Sequence, residues 1–207
     1  LQSRAEFQYA KAEYLLERKS FSAAEQAFKR LSRQFRDTDF AIMGEYGLAK
    51  TMLQQNQAKE ALEVLTAIPK RYPEHSFLHT VYVGLGDFYQ AQQQWDNAIQ
   101  AFQQVTKDST FDGKYRLSVR SLVSVYERMG LKDRALALAR YYIARFPEDE
   151  KTFVLQIKIG LLLNSLSQFD NAIEHLRRLK PFADATTEPE IQYYIGNAYM
   201  KAGKFER

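Results

Sequence analysis

Three histidines, His75, His79 and His175, are the first residues to weigh for chemistry. The four-residue step from His75 to His79 can place both on one helix face, a spacing that paired metal ligands use. The chain has no cysteine, which removes thiolate zinc sites, cysteine nucleophiles and disulfides together and fits any redox compartment. His75 falls in an expected turn, so the pair reads as solvated, and His175 reads as a surface residue. Gly84 and Gly86 sit within a helical register and form no phosphate-cradling loop. No Gly-x-Ser-x-Gly elbow occurs, and the acidic residues are scattered, so no carboxylate pair suggests acid–base work. Lys29, Arg30, Arg33 and Arg36 form one basic group, and Arg177, Arg178 and Lys180 another. Both stand near the carboxyl ends of expected helices, where cations complement the helix dipole. The groups are far apart, and a net charge of +4 with interleaved signs argues against nucleic acid. No catalytic residue, metal or cofactor is expected, and the chain reads as a non-enzyme.

What the remaining residues build is repetition. Ala24, Ala61, Ala98, Ala135 and Ala172 each lie 37 residues after the last. Numbering every unit so that this alanine is position 20 puts Ala12, Ala49, Gly86, Val123, Gly160 and Gly196 at position 8. Position 11 holds Leu15, Met52, Tyr89, Tyr126, Leu163 and Tyr199. Small residues at 8 and 20 let two helices of a hairpin approach to about 8–10 Å, with larger groups at 11 and 24 beside the contact. Val123 is the misfit, and Ala139 at position 24 is its expected compensation. Helix pairs are predicted at about 4–18 and 21–35, 40–54 and 58–72, then around 82–102. Further pairs follow before Pro147 and before Pro181, and a last helix begins near Glu190. Pro69 predicts a kink or early end in its helix, and Phe111 is expected to pack at a connection. The abundant aromatics, 13 tyrosines and 14 phenylalanines, fall mostly on core positions such as Phe21, Phe28, Tyr89, Phe102 and Tyr126.

The stretch Tyr82-x2-Leu85-Gly86-x2-Tyr89, followed by Ala98-x3-Phe102, resembles the signature of the tetratricopeptide repeat (TPR) family, with tyrosine for the leading tryptophan. The resemblance implies an all-α, right-handed solenoid of helix hairpins, five full repeats plus one half. As a single array the repeats span about 4–38, 39–75, 76–112, 113–149, 150–186 and 187–207. The spacing of 37 exceeds the usual 34, position 27 carries large residues, and Tyr72-Pro73 and Phe146-Pro147 end their units. Together these look like the bacterial envelope TPR proteins of outer-membrane assembly and the Tol–Pal system, which implies a periplasmic adaptor.

In such repeats positions 5, 9 and 12 face the concave groove. The resemblance therefore marks Tyr9, Glu13 and Leu16, then Tyr46, Lys50 and Leu53, then Val83, Asp87 and Gln90. It continues through Arg120, Ser124 and Glu127, then Ile157, Leu161 and Asn164, and finally Tyr193, Asn197 and Met200. Lys50 and Arg120 stand among Glu13, Asp87 and Glu127, which disfavours a clamp for terminal carboxylates. Ile157, Leu161, Tyr193 and Met200 form either a dock for an apolar peptide or helix or a surface covered by neighbours. The expected function is a scaffold that binds a protein segment in this groove, within a larger assembly. The alternatives are the recruiting arm of an enzyme whose catalytic domain lies elsewhere, and a structural repeat that stacks through its ends. No run of 18 apolar residues suggests membrane insertion, and no leader-like segment opens at Leu1. A soluble chain is expected. The sixth unit stops one residue short of its alanine and would expose Ile195, Tyr199 and Phe205, so a fragment of a longer protein is expected, with a capping terminus as the other reading.

Overall fold

The hydrophobic periodicity of 3.6 along nearly the whole sequence dictates helices, and the computed structural model, which describes residues 2–108, 110 and 112–204, contains no strand among them. The chain divides into two compact units, residues 1–107 and 108–207. The first contains α1 (Gln2–Glu17), α2 (Phe21–Gln34), α3 (Asp39–Gln54), α4 (Ala58–Arg71), α5 (Leu78–Ala91) and α6 (Trp95–Thr106). The second contains α7 (Asp112–Arg128), α8 (Lys132–Arg145), α9 (Thr152–Ser165), α10 (Phe169–Leu179), a 3-10 turn at Lys180–Phe182, and α11 (Thr187–Lys201). Within each unit every helix packs on the next. Phe111 and Phe205 lie outside the described residues.

The repeat positions behave as their side-chain sizes require. All five period-37 alanines are fully buried, as are Phe28, Phe102, Ala139 and Leu176 at position 24. The large residues at position 27, Leu31, Ile68, Val105 and Tyr142, are fully buried too. A Cβ on Gly86 would lie 2.4 Å from the Phe102 ring, and one on Gly160 would lie 2.5 Å from Leu176. Position 8 is thus a hole, and the position-24 side chain of the following helix is the knob that fills it. In the fourth unit the pair is reversed: Val123 and Ala139 are both fully buried, so a larger residue at 8 is matched by a small one at 24.

Each hairpin turns through a residue in the left-handed region. Lys19 (φ 58°), Asn56 (60°), Gln93 (57°), Gly130 (75°) and Ser167 (60°) are spaced by the same 37 residues. The next N–H returns to the position-11 carbonyl: Ser20 to Leu15, Gln57 to Met52, Gln94 to Tyr89, Leu131 to Tyr126 and Gln168 to Leu163, all at 2.8–2.9 Å. This closes the first helix by satisfying a carbonyl that has no partner within it. Gly203 (φ 69°) and the Lys204-to-Tyr199 bond at 3.0 Å repeat the motif after α11, which fixes Gly196 as its position 8.

One alternative is removed and one expectation needs correction. α4 runs through Pro69 to Arg71 without an early end. The proline sits in the last turn, where one lost ladder bond is tolerable because the Tyr72 amide still reaches Ile68 at 3.0 Å. Ile195 is buried, at 5% exposure, because it faces back into the cluster that holds Ile191 and Ala198. Tyr199 is half-buried beneath Arg177, whose guanidinium lies 5.4 Å from the ring centre. Pro181, by contrast, ends α10 as expected, in a 3-10 turn.

Candidate protein-interaction face

In the first unit α1, α3 and α5 bring five of the marked residues into one polar patch. Lys50 donates to Glu13 across 3.3 Å, a pair spaced by one full repeat. Burial, followed by the Glu13 carboxylate, pushes the Tyr9 hydroxyl up to about 12. The Tyr46 hydroxyl is raised first by burial, then by the nearby carboxylates of Asp87 and Glu13. Gly84 makes room for it, since a Cβ there would lie 2.8 Å from the Tyr46 oxygen. This gives Gly84 a role that neither the packing positions nor the marked face assigned to it. Tyr9 and Tyr46 are in turn seated on rings, Tyr9 6.3 Å from Phe28 and Tyr46 5.7 Å from Phe77. Val83 departs from the expectation: it is 6% exposed and counts among the buried residues. At position 12, Leu16 is buried while Leu53 and Gln90 are half-buried.

The second unit arranges its marked residues differently. Arg120 is not an available cation: it donates to the Tyr142 hydroxyl at 2.6 Å and stands 3.9 Å from Asp149. Asp149 also takes Arg116 at 2.8 Å and the Lys151 amide at 2.8 Å. Burial works to raise its pKa, but the Lys151 amide, Tyr142 and the arginines outweigh it and hold the carboxyl below the usual range. Glu127 accepts from Lys158 at 2.5 Å, and Asn164 donates to Asn197 at 3.1 Å. Ser124, Leu161 and Asn197 are half-buried, whereas Ile157 is 6% exposed and belongs to the core. Tyr193 and Met200 project from α11 at 66% and 57% exposure. Sequence reasoning missed Tyr142, Asp149 and Lys158, whose spacings from Arg120 and Glu127 follow no repeat.

Position 12 carries a further feature. The side-chain oxygens of Gln90 and Asn164 are buried acceptors with no hydrogen-bond partner among the described residues. A buried carbonyl left without a donor costs about 1–3 kcal/mol.

The chemistry-bearing residues elsewhere are structural. His75 receives the Phe77 amide on Nδ1 at 3.1 Å and donates from Nε2 to Asp39 at 3.2 Å. His79 bonds the Ser76 carbonyl at 3.1 Å. His175 corrects its surface reading: it is half-buried against the Gln156 carbonyl at 2.8 Å, and burial lowers its pKa. Arg178 pairs with Glu174, and Lys180 with Glu188. Among the described residues no group of histidine and carboxylate side chains could hold a metal ion, and no helix is long and apolar enough to cross a membrane.

Comparison with known proteins agrees with this architecture. A family profile described as a tetratricopeptide repeat-like domain matches residues 2–125. Among solved structures, a tetratricopeptide repeat protein from Parabacteroides merdae superposes with a TM-score of 0.71 at 12% identity, covering 97% of this chain and 74% of that one. BtubC from P. vanneervenii gives 0.64 at 17% identity over 98% and 85% of the two chains. YrrB, described as a TPR protein with an unusual peptide-binding site, gives 0.65 at 14% identity over 88% and 87%. No curated protein sequence matches significantly.

Proposed function

The chain belongs to the tetratricopeptide repeat-like family, and on that premise we propose that it is a non-enzymatic scaffold that holds a segment of a partner protein along the first helices of its hairpins. The observation that carries this reading is the patch in the first unit where the marked residues Tyr9, Glu13, Tyr46 and Lys50 stand together on α1 and α3. An extended or helical segment suits such a face, with the rings of Tyr9 and Tyr46 as apolar flanks and the Glu13 and Lys50 side chains as polar contacts. YrrB, with its described peptide-binding site, has the same fold and supports the reading. Lys50 is engaged by Glu13 and Arg120 by Tyr142, so neither is poised to clamp a terminal carboxylate. The partner is therefore recognised by an internal stretch of its chain. A bacterial periplasmic adaptor role, implied by the 37-residue spacing, completes the proposal.

The test is a selection of displayed peptides on the full chain, followed by titration calorimetry of the enriched sequences. Tyr46→Ala and Leu161→Asp are expected to weaken binding at least tenfold, and Glu63→Lys on exposed α4 to leave it unchanged. Equal affinity for all of these variants would rule the face out.

A further inference from the structure

The second repeat shows how the end of a hairpin's second helix holds a carboxylate. Arg71, at position 30, donates to Oε2 of Glu45 at 2.6 Å, and the adjacent Tyr72 hydroxyl donates to Oε1 at 3.0 Å. A guanidinium and a phenol thus share one carboxylate, each taking one of its oxygens.

The fourth repeat has the same two donor types at this place and lacks the carboxylate. Position 30 is again an arginine, Arg145, but position 4, where Glu45 stands, is the buried Val119. Position 31 is Phe146 in place of Tyr72, and the phenol is Tyr141, one helical turn before Arg145 on the same side of α8. A chain of contacts holds the group together. The Arg145 guanidinium lies 5.5 Å from the centre of the Phe146 ring, and that ring lies 6.0 Å from the Tyr115 ring. The Tyr115 and Tyr141 hydroxyls are 2.9 Å apart. Burial, ahead of the bond to Tyr141, pushes the Tyr115 hydroxyl up to about 12, and Arg145 is near enough to work against that shift.

Proton bookkeeping then shows which donors are unused. Tyr115 is 8% exposed, and among the described residues its hydroxyl has Tyr141 as its one partner. A buried O–H without an acceptor is costly, so Tyr115 donates and Tyr141 accepts. The Tyr141 proton is left for an acceptor outside the fold, on a side chain that is 46% exposed. Arg145 is exposed as well and makes a ring contact with Phe146, but no hydrogen bond or ion pair among the described residues. None of the acidic residues that follow it, Glu148, Asp149 and Glu150, pairs with it: Asp149 takes Arg116 and Arg120, and Glu150 takes Lys151.

We infer that Tyr141 and Arg145 form a docking site for a carboxylate side chain, a glutamate or aspartate on the surface of a partner protein. The incoming carboxylate takes the place that Glu45 fills against Arg71 and Tyr72, one oxygen on the guanidinium and the other on the phenol. The carboxyl end of α8 carries partial negative charge, which favours a singly charged group over a phosphate dianion. The site stands on a second helix, apart from the first-helix face proposed above, and does not depend on that face holding a segment.

The test is an NMR titration of the full chain, labelled at arginine Nε and on the tyrosine rings. The probes are a short oligoglutamate peptide blocked at both ends, its oligoglutamine counterpart, and inorganic phosphate. Oligoglutamate should shift the Arg145 Nε–H and Tyr141 ring signals saturably, and oligoglutamine should not. Arg145→Gln should weaken the binding about tenfold and Tyr141→Phe about threefold. Arg134→Gln, at another exposed arginine of α8, should leave it unchanged. Tyr141→Phe also strips Tyr115 of its partner, so thermal melts accompany each variant. If Tyr141→Phe melts early, the result for Arg145→Gln decides, since the Arg145 head group makes no hydrogen bond within the fold. The absence of a saturable shift would overturn the inference, as would an Arg145→Gln variant that binds like the wild type. An equal loss in Arg134→Gln would reduce the effect to general attraction to a basic surface, and tighter binding of phosphate would make the ligand class wrong.

Discussion

The same substitution, glycine to alanine at position 8, should have opposite effects at two sites in this molecule. In a helix interior alanine is favoured over glycine by about 1 kcal/mol, and at Gly196, where the added methyl group meets nothing within 4 Å, that gain should appear nearly whole. At Gly86 the methyl carbon would lie 2.4, 2.6 and 2.7 Å from three atoms of the Phe102 ring, which is fully buried and cannot swing aside. Overpacking of this kind costs about 1–3 kcal/mol, and ring contacts this short belong to the upper half of that range. The net expectation for Gly86→Ala is a loss of about 1–2 kcal/mol, against a gain of about 1 kcal/mol for Gly196→Ala. Gly160→Ala should fall between them, because its 2.5 Å neighbour is the more adaptable Leu176 side chain. Phe102→Leu should rescue Gly86→Ala, since the resulting Ala and Leu pair is the one at Ala49 and Leu65 in the second unit. A double-mutant cycle should then show about 1–2 kcal/mol of favourable coupling. Urea unfolding followed by circular dichroism and by Trp95, the single tryptophan, at the start of α6, measures all of these. Two probes are needed because repeat arrays can unfold in parts. A Gly86→Ala variant that gains stability as Gly196→Ala does would refute the hole-and-knob account.

Other perturbations follow from the same geometry. Gln93→Gly or Ser167→Gly should raise stability by about 0.5–1 kcal/mol by removing left-handed strain from a side-chain-bearing residue, and Gly130→Ala should lower it by a similar amount, both read from urea midpoints. Gln90→Leu should raise stability by about 1 kcal/mol, since it removes a buried oxygen without a donor, read from urea midpoints. Acidification should destabilise the fold in two stages. The depressed pKa of His175 means that the unfolded chain takes up the proton first, so stability falls as pH drops below about 6.5. Asp149 has a depressed carboxyl pKa, so its contribution is present above the ordinary value of 3.8 and lost as pH falls further. Melting curves of His175→Gln should be flatter than wild type from pH 7 to 5, and those of Asp149→Asn flatter below pH 4.

The core was legible because each of its positions is dictated by a neighbour at fixed spacing. Ala98 and Phe102 imply a hole opposite them, and Gly86 is that hole; Val123 could be matched to Ala139 from size alone. The hairpin turns were less legible. Of the left-handed residues at the period-37 turns Asn56 and Gly130 signal their conformation, while Lys19, Gln93 and Ser167 are held there by the returning hydrogen bond. The candidate face was legible in register but not in exposure. Position 5 is half-open at Tyr9 and Tyr46, closed at Val83 and Ile157, and open at Tyr193, because its burial depends on helices beyond its own. Arg120 was misread for a related reason: its partners are Tyr142 on another helix and Asp149 in a connection, neither at a repeat spacing from it.

The central claim, that the first helices of the hairpins hold a partner segment, is tested most directly by photocrosslinking in cells that express the full chain. A photoreactive residue is placed in turn at Tyr46, Lys50 and Leu161, and for comparison at the exposed second-helix positions Arg30, Glu63 and Gln103. The account predicts one discrete protein adduct from the first three positions and none from the others. Adducts confined to Arg30, Glu63 and Gln103 would contradict it.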